Sequence, residues 1–199
     1  SPDALTTGHL RPWVTAYLGN AEQAKAEMAQ LRRLLPGATL LGHRALLVEG
    51  LGDAEGALAV YGEAPRPFAP PNIEDASTPV YLAQAVAFNG QRLMALRQAE
   101  LLRAMKRDAE AIALLQSLQT AVPDDLYVAS RIEKARKGED RPALRTLGEE
   151  MSQALSDQAD LIEERQTIMG MMVARGQKIP FNHLISSLRQ SALLLDPAN

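Results

Sequence analysis

Several residue groups in this chain have types and spacings that could do chemistry. Gly50-Leu-Gly52-Asp-Ala-Glu-Gly56 has the glycine content of a phosphate-cradling loop. It follows a helical pattern instead of a strand, its spacing is GxGxxxG, and it carries Glu55 where a phosphate site avoids negative charge, so it reads as a turn. His9, His43 and His183 lie far apart, and none belongs to an HExxH or His-x3-His pair. They read as surface or packing residues, not metal ligands. Glu149-Glu150 and Glu163-Glu164 are adjacent carboxylates, but neighbours on a helix point about 100° apart. Neither pair can share a proton, and both read as solvated faces. Arg131, Lys134, Arg136, Lys137 and Arg141 cluster near a turn with Glu133, Glu139 and Asp140 among them, which fits a helix C-terminus better than a phosphate or nucleic-acid binder. Nowhere do a nucleophile, a base and an oxyanion donor assemble. The expectation is a protein that is not an enzyme and holds no cofactor or metal.

Composition narrows the class further. The chain has 199 residues, 46% hydrophobic and 23% charged, enough apolar content for a packed core. Lys and Arg number 21 against 24 Asp and Glu, so no basic footprint for nucleic acid is present. No cysteine occurs, which removes disulfides, thiolate metal sites and thiol chemistry and leaves the compartment open. No basic segment precedes an apolar core of the secretion-signal kind, and no apolar run approaches about 18 residues, so no membrane span is expected.

The elements that must position any site are helices. Ala and Leu dominate, and apolar residues recur at three and four spacing, as in Leu31, Leu34, Leu35 and Leu101, Leu102, Met105. Helix starts are expected at Asp53, at Thr78 before Pro79, and at Asp140 before Arg141-Pro142. Short turns are expected at Leu18-Gly19-Asn20, Leu51-Gly52-Asp53, Lys106-Arg107-Asp108, Lys137-Gly138-Glu139-Asp140 and Arg175-Gly176-Gln177.

The turns set a repeat. Five residues past each of the first three comes an alanine, then a large apolar residue at plus four and an apolar or small one at plus seven: Ala24, Met28, Leu31; Ala57, Tyr61, Ala64; Ala111, Leu115, Leu118. Pro36 and Pro123 follow twelve residues after the first and third alanines. This pattern resembles the second half of the tetratricopeptide repeat, with its Ala-x3-Phe and closing Pro. On helix A, Ala45 and Ala99 match the small position, while Pro12 stands there in the first unit, so that helix A should start late. A fourth, degenerate unit runs through Gly138, Ala143 and Leu147. A fifth hairpin turns near Gly176, and Ala192 to Asn199 reads as the end of a helix B.

The resemblance implies an all-α fold, a right-handed α-solenoid of antiparallel helical hairpins with about 10–11 helices. Residues 1–64 hold hairpins one and two, 65–78 a proline-rich connector, and 79–199 further hairpins. One continuous array is favoured over two domains. The connector, Pro65 to Ser77, should be exposed and open to proteolysis, and Val80 to Asn89 should add a short helix.

Function follows from the same resemblance. Helix A of such arrays lines a concave groove, and by motif offset its positions here are Trp13, Tyr17, Leu46, Glu49, Leu93, Leu96, Glu100, Arg103, Val128 and Ile132. Gly42, Leu46, Leu96 and Glu100 replace the Lys and Asn of the family's carboxylate-clamp members, so binding of an acidic C-terminal tail is not expected. The surface is mainly apolar, and aromatic residues at i and i+4, as Trp13 and Tyr17 are, also occur as ordinary core. The implied role is noncatalytic: a scaffold that binds a protein or peptide segment, with self-association into a homo-oligomer, or service as an accessory domain of a larger enzyme or envelope complex, as alternatives. The texture is also similar to bacterial tetratricopeptide proteins of the cell envelope, which implies a periplasmic or envelope location, with the cytoplasm as the alternative.

Overall fold

A computed structural model describes residues 10–34, 38–72, 78–172, 189, 190 and 193. Among them the fold is all-α, with eight helices: α1 (Arg11–Tyr17), α2 (Ala21–Leu34), α3 (Ala38–Gly50), α4 (Ala54–Gly62), α5 (Thr78–Ala104), α6 (Asp108–Ala121), α7 (Leu126–Lys137) and α8 (Leu147–Met172). The turn at Gly176, Pro36, and the ending from Ala192, apart from Leu193, lie outside the described residues.

Consecutive helices pack as hairpins, α1 on α2, α3 on α4, and α5 on α6, and each hairpin meets the next. Four turns share one geometry. The amide of residue i+5 reaches back to the carbonyl of i, and that of i+4 to the carbonyl of i+1: Asn20 to Thr15 and Gly19 to Ala16, Asp53 to Val48 and Gly52 to Glu49, Arg107 to Leu102 and Lys106 to Arg103, Glu139 to Lys134 and Gly138 to Ala135. This double closure satisfies two orphan carbonyls and needs one residue in the left-handed region. Gly19, Gly52 and Gly138 supply it at φ of 87°, 85° and 69°, and Lys106 takes the same place at 64° without being glycine.

The alanines after the first three turns are core residues. Ala24, Ala57 and Ala111 are fully buried, as are Met28, Tyr61 and Leu115 one turn later. A small side chain at each lets the two helices of a hairpin approach, and the larger one fills the space toward the next. Ala111→Leu is therefore expected to cost about 1–3 kcal/mol through overpacking. Ala129→Leu, half-buried on α7, should cost less, as chemical denaturation of the two variants will show.

Three expectations are corrected. Asp140 starts no helix: its φ is +47°, and residues 139–146 run without helical structure to Leu147. The fourth unit thus loses its helix B, and Ala143 is exposed. The reason is competition from arginines. The Arg103 guanidinium binds the carbonyls of Glu139 and Asp140, while Arg141 reaches back to the Arg103 carbonyl at 2.7 Å and to the Asp108 carboxylate. These bonds, with Pro142, hold the backbone out of a helix. The expected short helix at Val80 to Asn89 is instead the first part of the 27-residue α5, since Gly90 alone does not stop a helix whose neighbours all continue it. Finally, the connector is exposed along most of its described length but not at Phe68, which is buried in one apolar cluster with Ala45, Tyr61, Phe88 and Leu101. Arg66 stacks on that ring at 4.3 Å and donates to Gln98 at 3.0 Å. The connector is pinned to the core it crosses.

Helix starts otherwise follow local chemistry. Asp53 accepts from the Gly56 amide at 2.9 Å, and Asp125, which the sequence reading passed over, accepts from Tyr127 and Val128 at 3.1 Å. Thr146 and Glu149 form a reciprocal capping box at the start of α8. That helix then packs on α3 and α1. Among the described residues, no helix is long and apolar enough to cross a membrane.

Candidate functional site

The polar side chains converge between α3, α5 and α8. Leu46 and Glu49 come from one face of α3, Tyr61 from α4, and Arg97, Glu100 and Leu101 from one face of α5, with Arg145 approaching from the segment before α8. Together they line a cavity of about 10 Å³, room for about one water molecule.

Gly50 makes the approach of α8 possible. A Cβ there would lie 2.9 Å from the Leu147 Cα and 3.3 Å from the Glu150 Cβ. Alanine normally gains about 0.5–1 kcal/mol over glycine in a helix. Here Gly50→Ala is expected to destabilise instead, by about 1–3 kcal/mol, because a backbone atom stands in the way. A melting temperature raised by this substitution would show that α8 does not close on α3.

Glu150 is fully buried and faces Glu49, itself buried, and neither Glu150 oxygen has a hydrogen-bond partner among the described residues. Burial and the Glu49 charge push Glu150 up to about 9, and burial raises Glu49 as well. Arg145 lies 4.0 Å from Glu150 and 3.2 Å from Glu100, and Glu100 also pairs with Arg131 at 2.8 Å. One turn-pair further along α8, Asp157 receives both its oxygens' bonds from Arg97 Nη2, at 2.7 and 2.9 Å, and burial still raises its pKa. Tyr61 is raised by burial too, and its hydroxyl has no hydrogen-bond partner. The arrangement balances charge across a helix interface around the cavity.

The ten residues expected to line the groove divide. Leu46, Glu49 and Glu100 meet at the cavity. Trp13 and Leu46 pack with Ala16, Ala24, Met28, Leu47 and Ala154 in a second apolar cluster. Leu96, Val128 and Ile132 belong to the first cluster, and Arg103 is buried against residues 139 and 140. Only Tyr17, 58% exposed, and Leu93, 42% exposed, are open to solvent. Sequence reasoning missed Arg97, Arg145, Glu150 and Asp157, because their partners lie 60 or more residues away or on another element. Arg97 and Glu100 at i and i+3 beside an otherwise apolar α5 face were the available signal. No protein family, curated protein or solved structure matches this chain.

Proposed function

We propose that the chain is a noncatalytic scaffold of tetratricopeptide-like hairpins, coiled as a right-handed α-solenoid, whose α1–α3–α5 face receives a helical segment of a partner protein. The observation that carries this reading is that the same face already receives a helix, α8, which packs on α3 and α1 and reaches α5 through the Arg97–Asp157 pair. A face shaped for one amphipathic helix suits another by the same ridge and groove packing. Tyr17 and Leu93 are the expected groove positions that remain open at its rim. Panning a library of helical peptides on the immobilised chain tests this: enriched peptides should lose binding to Tyr17→Arg and Leu93→Arg and retain it for Leu126→Arg, an exposed position elsewhere. Peptides that ignore both rim variants would overturn the assignment.

Self-association is a second reading, favoured by Val14, Tyr17 and Leu18, which form an exposed apolar strip on α1, with Leu18 75% exposed. Sedimentation would then show a dimer that Leu18→Arg dissociates.

A further inference from the structure

We infer that α8 is a detachable occupant of the α1–α3–α5 face, and that the partner taking its place is an amphipathic helix presenting carboxylates seven residues apart beside small side chains. This rests on the reading that the face receives a helix. The chemistry of α8 itself names the partner. Its described buried residues are Glu150, Ser152, Ala154, Leu155 and Ala159, with Asp157 beside them and Leu147 and Met151 partly buried against the second apolar cluster. Apolar burial alone does not name an occupant, and both Glu150 oxygens and the Arg97 Nε and Nη1 are buried there without hydrogen-bond partners.

Charge carries the recognition instead. From α5, Arg97 holds Asp157; from α3, Glu49 faces Glu150; from the preceding segment, Arg145 stands between Glu150 and Glu100; from α4, the Tyr61 hydroxyl faces the same space. Buried charges of this kind offset their desolvation only while every partner is in place, which makes an interface selective and marginal. Separation also needs little rearrangement. The Thr146–Glu149 capping box closes α8 without help from its neighbours, and Arg103 and Arg141 fix residues 139–141 to α5, so α8 can leave as an intact helix pivoting after Arg145.

Hydrogen exchange on the full chain tests detachment, and a fluorescent peptide of residues 147–172 tests the occupant. In the wild type, residues 147–159 should exchange at least about tenfold faster than 111–118 and 128–135, as a separately opening unit does. Ala154→Glu, which puts a charge at a fully buried position of α8, should raise exchange in 147–159 alone and allow the peptide to bind. The same peptide with Glu150→Ala and Asp157→Ala should bind at least about tenfold more weakly. Glu150→Gln removes the buried charge and should slow exchange of 147–159 at alkaline pH, while the other helices slow only through the added global stability. Equal exchange of α8 and α6 in the wild type, unchanged exchange of 147–159 in Glu150→Gln at alkaline pH, or no preference for the carboxylate-bearing peptide would overturn the inference. So would a wild-type dimer that exchanges α8 between copies. Library peptides that bind the wild type with α8 still protected would leave the scaffold reading standing and remove this one.

Discussion

Trp13→Ala should destabilise the protein by about 3–5 kcal/mol, the usual cost of emptying a fully buried tryptophan site. Trp13 is 0% exposed and joins α1 to Met28 of α2, Leu46 and Leu47 of α3, and Ala154 of α8. Its removal leaves a cavity at the meeting point of four helices, which a rigid array cannot close by collapse. Urea unfolding followed by circular dichroism measures the loss, and the blue-shifted emission of this single tryptophan reports its burial in the wild type. Tyr17→Ala, one turn later but largely exposed, should stay within about 0.5 kcal/mol. Similar small losses from both would mean that α1 is not docked.

Glu150→Gln should stabilise the protein at about pH 8 by roughly 2–4 kcal/mol and have little effect near pH 4.5. The sign follows from linkage. In the unfolded chain Glu150 loses its proton near its ordinary value of 4.5, whereas in the folded protein burial and the Glu49 charge hold it up to about 9. Between those two values the folded state keeps a proton that the unfolded state has released. Stability is therefore fully present below pH 4.5 and falls as pH rises toward 9. Glu49 and Asp157, both raised by burial, tilt the profile in the same direction. Glutamine has no charge to desolvate and can donate to Glu49, so its profile should be flatter. Parallel wild-type and variant profiles from pH 4.5 to 9 would show that the fold does not hold Glu150 protonated.

The helices and the hairpin register were legible in the sequence because their causes are local. Asp53 caps with its own side chain, and Gly19, Gly52 and Gly138 end helices through a backbone angle that glycine reaches freely. Ala24, Ala57 and Ala111 each lie five residues past a turn residue, Gly19, Gly52 and Lys106, which is a pattern visible in one dimension. Local signals also misled where distant groups competed for the same backbone. Asp140 and Pro142 look like a helix start, yet Arg103, on the preceding hairpin, captures the carbonyls that a helix there would need.

The polar site shows the same division. Glu149 and Glu150 were read as one solvated pair, and the structure sends them to opposite fates. Glu149 closes the capping box at the surface, while Glu150, about 100° around the helix, meets a carboxylate a hundred residues away. Helical periodicity alone determined that the two must part. Which of them would be buried, and against what, was decided by the return of α8 across α3, which Gly50 admits by lacking a side chain. Apolar burial fixes helix faces through residue spacing, whereas the choice of partner for a charge depends on which elements pack together, and that is a property of the tertiary fold alone.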